Sequence, residues 1–153
     1  MGYSHYWYRP QEIPRSAWKS FCEDVAKLIR HSPVKLVCRL EKVNEPPIVS
    51  DGVVSLNGTG AEGYEPFMLT RVIIPRPGER AKEDGLWLGF CKTEKRAYDS
   101  IVGACLIALK FHLGKSVRIQ TDGSDDDWTI GCNPEVKLPS AKAFCQSVLG
   151  YGD

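Results

Sequence analysis

The chain has 153 residues, enough to bury one sizeable core and too few for two ordinary domains. It is 42% apolar and 25% charged, and 20 Lys and Arg against 19 Asp and Glu leave a net charge of +1. That balance excludes a general polyanion-coating surface, which carries a basic excess, but not a compact site for a small anion.

The first eight residues hold Tyr3, His5, Tyr6, Trp7 and Tyr8, and aromatic density favours a strand. Pro10 and Pro14 punctuate, and Ser16 can cap a helix that runs to Arg30 on Trp18, Phe21, Cys22, Val25, Leu28 and Ile29. Lys35–Leu40 alternates as a strand. Turn residues flank a short apolar pair around 46–52, and Val53–Leu56 reads as a strand stopped by Asn57-Gly58. Residues 57–66 carry three glycines and read as a flexible connection. Phe67–Ile74 and Leu86–Cys91 are strands on either side of a charged loop. Thr93 is a natural N-cap for a helix over Ala97–Leu113, apolar on most sides and therefore central, with Gly114 as its stop. Val117–Thr121 is a strand, and Ser140–Leu149 a short final helix ended by Gly150.

The order β-α-β-β-β-β-α-β-α joins most strands without intervening helices. It predicts an α+β fold, one domain over 1–153, with a largely antiparallel sheet and two to three helices mainly on one face. Six cysteines contain no CxxC pair and several fall at apolar helical positions, so they read as buried thiols. No His stands at ligand spacing from them, and neither a metal nor a cofactor is expected.

Three clusters could carry chemistry. Lys92, Thr93, Lys95 and Arg96 crowd positive charge at the start of the main helix, where backbone N–H groups already favour an anion. Either a bound phosphate or carboxylate balances them, or they point into water with Glu94 and Asp99 compensating. On the first strand, alternation places His5 and Trp7 on one face and Tyr6 and Tyr8 on the other. These rings either stack a base or pack a sheet core. Asp122, Asp125, Asp126 and Asp127 lie within six residues, but without the glycine position or closing Glu of a calcium loop. They face water or pair with the basic helix entrance, and Trp128 covers a core edge or a pocket. The glycines at 58–63 lack the Lys-Ser/Thr of a phosphate loop and suggest a lid. His31 and His112 sit at helix ends, where capping explains them.

Met1-Gly2-Tyr3-Ser4-His5-Tyr6-Trp7, Leu56-Asn57-Gly58, Glu65-Pro66-Phe67-Met68-Leu69, Phe90-Cys91-Lys92-Thr93 with Arg96-Ala97-Tyr98-Asp99, and Thr121-Asp122-Gly123 with Asp127-Trp128 occur in that order. The combination resembles a family of small proteins of tailed bacteriophages and bacteria that open with Met-Gly-Tyr-Thr-His-Tyr-Trp. Ala97, where that family often has Pro, and the longer 129–139 segment depart from its pattern. The resemblance implies no activity; it marks Tyr3, His5, Tyr6, Trp7, Asn57, Glu65, Lys92, Thr93, Arg96, Tyr98, Asp99, Asp122 and Trp128.

The leading expectation is a non-enzymatic pocket for a small, anionic, nucleotide-derived ligand. Lys92, Thr93 and Arg96 would hold phosphate, and Tyr6, Trp7 or Trp128 would stack the base. Asn57 and Asp99 would read its edges, with His5 and Tyr98 completing the site. In a phage this suits a sponge that sequesters a bacterial immune signal. An enzyme cleaving such a signal, with His5 as acid or base and Asp99 orienting it, is the alternative; a protein-binding inhibitor of a host factor is another. The N-terminus lacks the charged and apolar stretches of a secretory signal, and no apolar run could span a bilayer. A cytoplasmic protein is therefore expected (the host's cytoplasm if phage-encoded), with no membrane or long nucleic acid as partner and with a homo-oligomer favoured.

Overall fold

In chain order the structure runs β1 (Ser4–Arg9), α1 (Arg15–Arg30), β2 (Leu36–Val37), β3 (Ile48–Val49) and β4 (Val53–Gly58). It continues with β5 (Phe67–Thr70), β6 (Trp87–Lys92), α2 (Asp99–Leu113), β7 (Arg118–Thr121) and α3 (Ala141–Leu149). This computed structural model describes residues 3–38, 45–82, 84–122 and 140–152. Leu40, Asp125–Trp128, Cys132 and the 129–139 segment lie outside the described residues.

β1 buries His5, Trp7 and Arg9 and leaves Tyr6 and Tyr8 half-buried, the two-residue period of a strand covered on one face. It is the middle strand of an antiparallel sheet ordered β6-β1-β7. A second antiparallel sheet centres on β4, which pairs with β2, β3 and β5. The two sheets meet where the Trp7 indole packs edge-on against Phe67, ring centroids 5.2 Å apart. Arg9 fixes the same junction. Its buried guanidinium donates to the Pro10 carbonyl at 3.0 Å, to the Arg71 carbonyl at 2.9 Å and to that of Thr70.

The helices cover the face that carries His5 and Trp7. α1 buries Trp18, Phe21, Val25 and Leu28, one apolar stripe at three- and four-residue spacing. α2 is buried on most sides and packs between α1 and α3. Each wholly buried residue such as Ile101, Leu106 and Leu109 contributes about 1.5–3 kcal/mol of apolar burial. One core cluster joins α1, α2 and α3 to both sheets. The fold is α+β and antiparallel, as its strand order predicts.

Three local departures have physical reasons. Ile48–Val49 forms a short strand because Ile48 and Val49 find partners in Ser55 and Val54. β5 stops at Thr70, since the next residues turn to residues 11–13: Ile13 N–H reaches the Arg71 carbonyl and Ile73 N–H the Gln11 carbonyl, both at 2.9 Å. α2 begins at Asp99 rather than near Thr93, because Glu94 (φ 55°) and Lys95 (φ 57°) are left-handed and cannot continue a helix.

Cys22, Cys38, Cys91, Cys105 and Cys145 are unbridged thiols. Burial pushes the Cys145 and Cys22 thiols up to about 11 and raises Cys91 and Cys105 as well. Below pH 9 these thiols are protonated folded or unfolded and add no pH dependence. Above it the unfolded chain releases their protons first, so stability falls as pH rises from about 9 toward 11. The urea midpoint under reducing conditions is therefore expected to drop between pH 8 and pH 10; an unchanged midpoint would contradict this burial.

Candidate functional site

The ten residues singled out in the sequence divide by side of the sheet. His5, Trp7, Asn57, Thr93, Tyr98 and Asp99 are buried, while Tyr6 and Lys92 are partly exposed and Arg96 is exposed. Trp128 lies outside the described residues.

The buried set forms a polar seam beneath one end of the β6-β1-β7 sheet. His5 Nε2 lies 2.7 Å from Asp99 Oδ1, and the same carboxylate oxygen accepts from the Thr93 hydroxyl. Asp99 occupies the first turn of α2, where a negative charge meets the helix dipole favourably. Tyr98 donates its hydroxyl to the Glu65 carbonyl at 2.6 Å, and burial raises its pKa further above the ordinary phenol value. Glu65 also bonds β6, its carboxylate accepting from Lys92 N–H at 2.7 Å. Asn57 ties the 58–64 loop into a closed turn. Its side-chain oxygen accepts from Gly58 and Tyr64 N–H at 2.8 and 3.1 Å, and its nitrogen donates to the Tyr64 carbonyl at 3.0 Å. The loop crosses itself so closely that a Cβ on Gly58 would lie 2.2 Å from the Glu62 carbonyl oxygen. It is a tied turn rather than an open lid.

Lys92 ends β6, and Lys95 and Arg96 sit on the 93–98 turn that follows, not on a helix end. That turn folds back because Thr93 and Glu94 N–H both bond the Tyr3 carbonyl, at 3.0 and 3.2 Å. Lys92 Nζ lies 3.3 Å from Glu94, an interaction that raises its pKa and holds it charged. The Lys92 ammonium and the Arg96 guanidinium both approach the Tyr64 ring, at 5.5 and 5.9 Å from its centroid. Arg96 also donates to the Ala61 carbonyl at 2.6 Å. The acidic turn starts at the same sheet end: Ser4 N–H bonds Asp122 Oδ2 at 2.9 Å, and Ser4 pairs with Lys92 across the strands. Asp122 and Lys92 thus stand on either side of β1 at one sheet end.

On the opposite side, the sheet presents an open face. Tyr6 and Tyr8 alternate outward, and the register sets Phe90 beside Tyr6, Leu88 beside Tyr8 and Lys92 beside the buried Ser4. β7 adds Gln120 beside Tyr6 and Arg118 beside Tyr8. Phe90 is 61% exposed, a large apolar ring in water where charged strand residues are usual. The Arg118 guanidinium lies 5.1 Å from the Tyr8 ring centroid. Lys92 and Arg118 stand about 13 Å apart along the strands, with three aromatic rings between them. A flat aromatic surface bounded by cations can stack a heterocycle and hold an attached phosphate.

Sequence reasoning names Tyr6 and Lys92 on this face and misses Phe90, Gln120 and Tyr64. The signal for Phe90 is the alternation of Leu88, Phe90 and Lys92 against Gly89 and Cys91. His112 does not cap its helix: its Nε2 meets Asp24 Oδ2 of α1 at 2.6 Å. His31 does, its Nδ1 lying 3.1 Å from the Lys27 carbonyl. Among the described residues no group of His, Cys, Asp and Glu is arranged to hold a metal ion, and no helix is long and apolar enough to cross a membrane. Compared with known protein families, curated proteins and solved structures, the chain matches none.

Proposed function

We propose that the chain binds a small anionic, nucleotide-derived ligand on the open face of the β6-β1-β7 sheet. The observation that carries this reading is the row Phe90–Tyr6 with Lys92 at the next position on the same face. Tyr6 and Phe90 stack the base, Lys92 holds phosphate with Arg96 behind it, and Gln120 offers an amide to the base edge. Trp7 and Asn57 serve from below: one supports the sheet, and the other fixes the turn that carries Tyr64. The net charge of +1 favours a short ligand over a long nucleic acid. With the resemblance to phage proteins, the biological role we favour is sequestration of a bacterial immune signal in the host cytoplasm.

A thermal-shift and calorimetric screen with cyclic dinucleotides and ADP-ribose derivatives tests this. A binder should raise the melting temperature. Phe90→Ser should weaken it roughly 5- to 150-fold, the range of one lost base stack, and Lys92→Ala should reduce the salt dependence of binding. No stabilisation by any of these ligands, or binding indifferent to both substitutions, would overturn the proposal.

The His5–Asp99 pair favours one second reading, turnover of the ligand, because a carboxylate-oriented imidazole is the usual acid–base arrangement. Both groups are nearly sealed from solvent beneath the sheet, at 2% and 7% side-chain exposure, so the sheet must part from the helices before they reach a ligand. Ligand recovered intact after denaturation supports sequestration; converted ligand supports catalysis.

A further inference from the structure

On the helix side, α2, α3 and the inner face of β7 border an open recess of about 370 Å³, within the size range of small-molecule sites. Its walls are apolar. Leu106 and Ile107 come from α2 and Ile119 from β7, while Phe111 and Tyr151 lie stacked in parallel, ring centroids 3.9 Å apart. The Tyr151 hydroxyl does not make this wall polar, because it donates to Asp24, which also holds His112.

Among the described residues lining it, charge comes from two lysines. Lys110 is anchored by its ammonium to the Gly114 and Val117 carbonyls at 2.9 and 2.7 Å, and an ammonium has three donors. Lys142 lies in the first turn of α3, which has no acidic residue. A cation there opposes the helix dipole and is unfavourable unless an anion sits nearby. No carboxylate is among the described residues lining the recess.

We infer that this recess binds an apolar carboxylate of the medium-chain fatty acid class. The chain would lie against Leu106, Ile107 and Ile119, and the carboxylate would meet Lys142 and the remaining donor of Lys110. Apolar walls alone would accept any oil. Two cations, with no carboxylate among the described lining residues, select the anionic head group.

The test uses the full chain and two probes, decanoate below its micelle concentration and the uncharged decanol, measured by calorimetry with amide chemical-shift mapping. Decanoate should bind at least about tenfold more tightly than decanol, a difference of about 1.4 kcal/mol, and shift amides of α2, α3 and β7. Lys142→Glu should weaken decanoate by a similar factor and leave decanol unchanged. Ile107→Trp, which fills the recess, should abolish both while a cooperative melt reports that the protein is folded. Equal affinity for the two probes, indifference to Lys142→Glu, or shifts confined to the open sheet face would overturn the inference. The last outcome would leave the nucleotide proposal intact, because Phe90 and Lys92 take no part here.

Discussion

Asp99→Ala is expected to lower the unfolding free energy by about 3–5 kcal/mol, the cost of removing one partner from a buried polar pair. His5 and Thr93 both direct polar atoms at this carboxylate, and both are almost wholly buried, so neither can turn to water instead. The substitution also removes the only acid in the first turn of α2, adding about 0.3–1 kcal/mol. Against a total stability of roughly 5–15 kcal/mol for an ordinary domain, that is a large share. Chemical denaturation of the variant measures it directly. Asp99→Asn keeps one acceptor oxygen and should recover part of the loss. A change below about 0.5 kcal/mol for Asp99→Ala, the scale of an ordinary surface substitution, would mean that the seam does not hold β1 to α2.

Gly89→Ala should be nearly as damaging, for a steric reason. A Cβ there would stand 2.2 Å from Trp7 Nε1 and 2.4 Å from Cε2, far inside any tolerated contact. The indole cannot retreat, since it is 2% exposed and its other side packs on Phe67. Either the indole leaves its rotamer or β6 shifts away from β1, at about 1–3 kcal/mol or somewhat more. Combining Gly89→Ala with Trp7→Phe distinguishes this collision from a general preference for glycine. The smaller ring should make the alanine far less costly, giving a favourable coupling energy in a double-mutant cycle. Strict additivity would rule the collision out. Because Trp7 and Gly89 form the underside of the Phe90–Tyr6 row, the single variant should also weaken any ligand stacked above it.

Much of the fold is legible in the residues because local pattern and tertiary environment agree. Trp18, Phe21, Val25 and Leu28 mark one helical stripe, and α2 is apolar on most sides and becomes the central helix. The alternation of His5 and Trp7 against Tyr6 and Tyr8 survives intact. Legibility ends where long-range contacts decide. Thr93 has the chemistry of an N-cap, but its hydroxyl is spent on Asp99, six residues on, and the two left-handed residues after it displace the helix start. The open face is hidden for the same reason. Tyr6, Phe90 and Gln120 are apart in the chain, and only the strand register makes them neighbours. The sequence does hold the alternation that turns Phe90 outward, but exposure of an aromatic ring is a property of what fails to cover it. Asn57 illustrates the opposite case, a polar residue with ligand-reading chemistry whose side-chain oxygen and nitrogen both bond its own loop.

The position of β1 bears on how the chain acquires its structure. The strand that comes first is flanked on both sides by partners that come late: His5 pairs with Cys91 and with Thr121. Until those residues are in place, Tyr6, Trp7 and Tyr8 have no sheet to join, whereas β4 and β5 are close enough in the chain to meet early. Closing such long loops costs entropy before any contact repays it, which slows folding. The open face is therefore among the last features to form. Anything that binds there selects the finished molecule and, by mass action, adds to its stability about 2.7 kcal/mol at a hundredfold excess over its dissociation constant.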